Sequence, residues 1–89
     1  MRLEVTMAEK TTVKVYSTPT CPYCHKLKEF LKQNKVEFQD IDVSRDRAAA
    51  MEMVQKSGQM GVPVADINGQ IVVGFDQHTI AHLLNLHAH

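Results

Sequence analysis

The chain has 89 residues, 44% of them hydrophobic and 22% charged, which is enough for one compact core and too little for two. Ten lysines and arginines balance ten aspartates and glutamates, so the charge points neither to nucleic acid nor to an anionic membrane surface. No run approaches the roughly 20 apolar residues of a membrane span, and two cysteines in one short motif do not make the disulfide framework of a secreted mini-protein. The expectation is a cytoplasmic, monomeric domain in a reducing setting. The opening MRLEVTMAEKTT holds no apolar run to serve as a signal-peptide core. Met7 offers a second start, so residues 1–11 read as a tail, 12–87 as the domain and 88–89 as its end.

In chain order, Val13 to Ser17 alternates with period two and is rich in β formers, which predicts a strand. A polar loop, Ser17-Thr18-Pro19-Thr20, follows. Pro22 suits the first turn of a helix, where its missing N–H costs nothing. From Tyr23 to Asn34, the residues Tyr23, Cys24, Leu27, Phe30 and Leu31 fall on one face. Lys26, Lys28, Glu29, Lys32 and Gln33 take the other. Val36 to Val43 is apolar on both faces and reads as a second strand. A strand–helix–strand unit implies parallel pairing with a right-handed crossover. Ser44 is the expected cap of a helix over 45–57, buried through Ala49, Ala50, Met53 and Val54 and ended by Gly58. Val64–Ile67 and Gln70–Val73 flank Asn68-Gly69, the strongest short-range hairpin signal. Asp76 is placed to cap a last helix whose core stripe is Ile80, Leu83 and Leu84.

The chemistry gathers at Thr20-Cys21-Pro22-Tyr23-Cys24-His25, where the first strand turns into the first helix. Spacing of three at a helix start brings two sulfurs within reach of a disulfide. The first cysteine sits where unpaired N–H groups and the positive end of the helix dipole favour an anion. Its thiol is therefore expected to be acidic, and the thiolate is the reactive form. The residues predict thiol–disulfide exchange, with Cys21 exposed at the tip and Cys24 on the inward face.

The order β-α-β-α-β-β-α, an α/β arrangement with a four-stranded mixed sheet and helices on both faces, resembles the thioredoxin-like fold in its minimal glutaredoxin form. Three motifs carry the resemblance: Cys21-Pro22-Tyr23-Cys24, Gly61-Val62-Pro63-Val64 and Gly74-Phe75-Asp76. It implies that Cys21 is the nucleophile and Cys24 the resolving thiol of a dithiol/disulfide cycle. It also implies that Pro63 is a cis-proline, turning Val62 backbone groups toward a substrate. By the same resemblance Tyr23, Gln59, Val62, Pro63, Gly74 and Asp76 line the substrate or glutathione site, glutathione is the co-substrate, and no cofactor is tightly bound. The partners implied are disulfide-containing proteins and an electron donor. Thr18 stands where glutathione-binding members carry lysine, Gly61 where they carry threonine, and Val73-Gly74 where they carry two glycines. The missing lysine and the Gly74-Phe75-Asp76 turn make the chain also similar to glutaredoxin-like electron donors reduced by thioredoxin reductase, including those that serve ribonucleotide reductase.

Other readings stand beside this one. Cys21 to His25 spells the c-type haem attachment pattern; here His25 reads instead as a first-turn residue whose positive charge would acidify the thiol. Cys21, Cys24 and His25 could hold zinc, or two chains could share an iron–sulfur cluster. His78 and His82 lie four apart, where a solvated face is the default, and His87 and His89 belong to the terminus. Lys26, Lys28, Lys32 and Lys35 are interrupted by acids, so no nucleic acid is implied. Met51, Met53 and Met60 read mostly as core filler, with Met60 near enough to Val62 to line a substrate groove.

Overall fold

A computed structural model describes residues 12–84; the expected tail over 1–11, His87, His89 and the end at 88–89 lie outside them. Among the described residues the elements are β1 (Val13–Ser17), α1 (Pro22–Gln33), β2 (Gln39–Asp42), α2 (Arg47–Ser57), β3 (Val64–Ile67), β4 (Gln70–Val73) and α3 (Gln77–Leu83). No helix among them is long and apolar enough to cross a membrane.

The sheet order is β2-β1-β3-β4. β1 pairs parallel with β2 and antiparallel with β3, and β3 pairs antiparallel with β4. β1 is thus interior, and the loop leaving its end hangs from the middle of the sheet. Its alternation sorts side chains to two faces. Val13 and Val15 join Ala65, Ile67 and Val72 beneath Leu27 and Leu31 of α1 and Ile80 of α3. Tyr16 and Val64 face the other way, onto Met53 of α2. Each fully buried aliphatic side chain contributes on the order of 1.5–3 kcal/mol.

The hairpin forms as its dipeptide dictates, with Asn68 and Gly69 at φ 53° and 90°, both positive as a type I′ turn requires. Four expectations need correction. The second strand is shorter than 36–43, because Val36 is used to end α1. Lys35 adopts φ 59°, its N–H reaches the Lys32 carbonyl at 3.0 Å and the Val36 N–H reaches Leu31 at 2.9 Å. That is a Schellman closure with lysine in the left-handed position. Ser44 does not cap α2; Asp46 does, its carboxylate accepting the Ala49 N–H at 3.0 Å. Tyr23 leaves the apolar face and is 60% exposed, as is fitting for the first turn beside a loop. Met51 is likewise exposed, as is Met60, and only Met53 of the three is core.

Candidate active site

Cys21 is the N-cap of α1, with extended backbone at φ −94° and ψ 111°. Its N–H is held by the Thr18 carbonyl at 3.3 Å, and its own carbonyl accepts the first helical bond from His25 at 3.2 Å. Pro22 follows at N1, pre-set for the helix. The cap is made by sulfur: the Cys24 N–H donates to Cys21 Sγ at 3.1 Å. The Cys21 thiol in turn points to the Val62 carbonyl at 3.9 Å. Both thiols are free, Cys21 half-buried and Cys24 fully buried.

The two sulfurs differ in environment. Burial is the main reason the Cys24 thiol is pushed up to about 12; the hydrogen bond with Cys21 and the Cys21 charge add to it. A backbone hydrogen bond from Thr18 and the charge of Lys28 oppose these only in part. Lys28, one turn beyond Cys24, is fixed by Asp40 Oδ2 at 3.0 Å and Ser17 Oγ at 3.4 Å. The Ser17 hydroxyl donates to Asp40 Oδ1 at 2.9 Å. This network ties α1 to β1 and β2 and fixes the charge that acts on the buried thiol. Helical patterning hid it, because Lys28 sorts to the polar face; its spacing of four from Cys24 was the available signal.

The Val62-Pro63 peptide bond is cis, and Pro63 is buried. The Pro63 carbonyl accepts the N–H of Gly74 at 2.8 Å, where φ is 80°. Cys21, Val62, Pro63 and Gly74 are therefore linked in one chain of contacts, and Cys24 closes it from beneath. The other expected residues are less closely gathered. Asp76 is the cap of α3, with one carboxylate oxygen accepting the Thr79 N–H at 3.2 Å and the other its hydroxyl at 2.8 Å. Those bonds, with the charge of His78, hold its carboxyl below the usual range. The Gln59 amide turns back onto the Gly61 carbonyl at 3.2 Å. Tyr23 stands exposed with the Lys26 ammonium 5.3 Å over its ring. His25 donates from Nε2 to the Pro19 carbonyl at 2.9 Å, so its ring is turned to the loop rather than to the sulfur. No group of three or more His, Cys, Asp or Glu side chains placed to hold a metal occurs among the described residues.

A mixed sheet of this order, with a dithiol capping the helix that leaves its interior strand, defines a thioredoxin-like protein of the disulfide-exchanging class. A glutaredoxin from Archaeoglobus fulgidus superposes with a TM-score of 0.77 at 25% identity, over 90% of this chain and 92% of that one. The glutaredoxin family model matches residues 13–72. A glutaredoxin-like 8.6 kDa protein from the rubredoxin operon of Clostridium pasteurianum is 47% identical over 72 residues, 81% of this chain and 96% of its own. Glutaredoxin 3 of Escherichia coli strain K12 is 38% identical over 64 residues, 72% of this chain and 77% of its own. The chain belongs to the glutaredoxin family and is a thiol–disulfide oxidoreductase.

Proposed function

We propose that the chain reduces protein disulfides and glutathione mixed disulfides by cycling Cys21 and Cys24 between dithiol and disulfide. The Cys21 thiolate attacks one sulfur of the substrate, the other sulfur leaves as a thiolate, and a mixed disulfide remains on Cys21. Cys24 then attacks the Cys21 sulfur, gives up its proton and releases the substrate thiol. The resulting Cys21–Cys24 disulfide takes two electrons from a donor to begin again. The observation that carries this reading is the inequality of the two thiols. Cys21 is reachable at a helix N-terminus with a backbone N–H on its sulfur, whereas Cys24 is buried and pushed up to about 12 by its burial. A thiol held in that neutral, covered state does not compete for the incoming disulfide.

The Val62 backbone offers an extended substrate β-like pairing beside Cys21, with Pro63 and Gly74 fixing its direction. Tyr23, Gln59 and Asp76 complete the proposed substrate site, with glutathione as co-substrate and no tightly bound cofactor. The protein acts as a monomer in the cytoplasm. A second reading has an observation of its own. Thr18 replaces the cation expected for a glutathione carboxylate, the Gln59 amide is turned onto Gly61, and both Asp76 carboxylate oxygens are engaged by Thr79. These features favour thioredoxin reductase as donor.

NADPH-driven disulfide reduction, supplied either with glutathione and its reductase or with thioredoxin reductase alone, decides between the donors. With a disulfide substrate, Cys24→Ser is expected to accumulate the mixed disulfide on Cys21, seen by mass spectrometry, and Cys21→Ser to accumulate none. An adduct on Cys24 in the Cys21→Ser variant, or no adduct on Cys21 in the Cys24→Ser variant, would end the proposed roles.

A further inference from the structure

The outer face of α2 carries a groove of about 760 Å³ whose walls include Val43, Arg45, Arg47, Met51, Val54 and Met60. Met51 is 59% and Met60 75% exposed, so the apolar side of this groove is open to water. Exposed apolar patches rimmed by polar groups mark interaction sites, and methionine adapts to varied partners. The rim is cationic and uncommitted. Among the described residues the Arg45 and Arg47 side chains form neither an ion pair nor a hydrogen bond, and Arg45 reaches Asp42 only through its charge. The neighbouring acids are already engaged. Asp42 accepts from Ser44 at 2.9 and 2.5 Å, Asp46 caps Ala49 and Glu52 pairs with Lys56. Met60 also places the groove close to the site along the chain. Met60 lies two residues from Val62, at most about 7 Å of chain, and the Val62 carbonyl meets the Cys21 thiol.

We infer that this groove docks the flank of a disulfide-bearing protein. An apolar side chain of the partner lies on Met51, Val54 and Met60, and its acidic side chains pair with Arg45 and Arg47 while its cysteine reacts at Cys21. Guanidinium suits that pairing because its fork matches a carboxylate. Since the formal net charge of the chain is zero, a preference for acidic flanks would be local, not a general attraction. The inference rests on Cys21 as the nucleophile.

The test uses the reduced full-length chain and short synthetic peptides whose single cysteine is disulfide-bonded to nitrothiobenzoate. Leucine and a pair of glutamates, or of lysines, stand roughly three to five residues from the cysteine. Attack joins Cys21 to the peptide sulfur, the coloured nitrothiobenzoate leaves with the bonding electrons, and Cys24 then frees the peptide as a thiol. Each rate is divided by that of the same protein on hydroxyethyl disulfide, which has no flank. The acidic peptide is expected to react roughly 3- to 10-fold faster than the basic one at low salt, with the ratio shrinking as salt approaches about 1 M. Arg45→Glu with Arg47→Glu inverts the ratio. The charge-matched Lys32→Glu with Lys35→Glu, in the last turn of α1 and the turn that closes it, leaves it unchanged. Equal rates for both peptides, or a preference that survives the arginine reversals, overturns the docking surface alone. Failure of the parent protein on hydroxyethyl disulfide overturns the reading of Cys21, and the docking proposal with it.

Discussion

Replacing Lys56 with methionine would remove a cation that three side chains share. Its ammonium is 2.6 Å from Asp66 Oδ2, 3.0 Å from the Tyr16 hydroxyl and 3.2 Å from Glu52 Oε2. The side chains of Lys56 and Asp66 are 27% and 11% exposed. Burial works to raise the Asp66 carboxyl. The Lys56 hydrogen bond, the Gly69 N–H and the charges of Lys56 and Lys14 together outweigh it and hold the group below its ordinary value. Lys56 itself is raised, first by Asp66 and then by Tyr16. Removing one partner of a buried pair costs about 3–5 kcal/mol; because water reaches Lys56, we expect about 2–3 kcal/mol. For a domain of this size that lowers Tm by roughly 10–20 °C. Urea unfolding followed by far-UV circular dichroism is the assay, since the chain has no tryptophan. The sign with pH is fixed. In the parent, the Asp66 contribution is present above the unfolded value of about 3.9 and lost as pH falls through the depressed folded value. In Lys56→Met burial acts unopposed by its main partner and raises Asp66, so the penalty is greatest near neutrality and shrinks as the carboxyl protonates on acidification. The lysine half runs oppositely, complete below about pH 10.4 and lost as pH climbs through its raised folded value. A penalty under about 0.5 kcal/mol at pH 7, or one unchanged at low pH, would refute the reasoning.

Three further substitutions test the local structure. Asp46→Ala should destabilise by about 1 kcal/mol as the cap of α2 is lost, whereas Ser44→Ala should stay within about 0.5 kcal/mol; equal losses in urea melts would mean the helix begins at Ser44. Gly74→Ala meets no atom within 4 Å at its new Cβ but must hold φ 80°. Its cost is therefore conformational, about 1 kcal/mol, and a loss above about 3 kcal/mol in the same assay would reveal a clash absent from this geometry.

Which features could be read from the sequence follows from how local their causes are. Asn68-Gly69 fixes its hairpin within two residues, and Val13, Val15 and Tyr16 sort by simple alternation. Cys21, Pro22 and Cys24 carry both the helix start and the chemistry in four positions. What stayed hidden depends on partners distant in the chain. Val36 looks like a strand residue, yet its N–H is consumed by Leu31. Ser44 is a good cap by type, but Asp42 takes its hydroxyl and Asp46 does the capping. Lys56 carries no signal in the sequence, because Tyr16 and Asp66, which hold it, belong to two different strands. Met51 reads as core because helical spacing does not say which apolar face of α2 the sheet will cover. Of the proposed site, Cys21, Cys24, Val62, Pro63 and Gly74 come together as the motifs imply, while Gln59 and Asp76 are occupied by their own loops.

The interior position of β1 also sets an order of events during synthesis. Val13 pairs with Ile67, so a ribosome must add some fifty residues after β1 before its second neighbour exists. Such distant pairing is slow to close compared with the local hairpin of β3 and β4. The cysteines emerge early, on a helix whose covering core includes Ala65 and Ile67. Until those residues arrive α1 has no complete core beneath it, and the burial that sets Cys24 apart from Cys21 awaits the helix's docking. The distinction between an attacking and a resolving sulfur is thus acquired late, with the closing of the sheet.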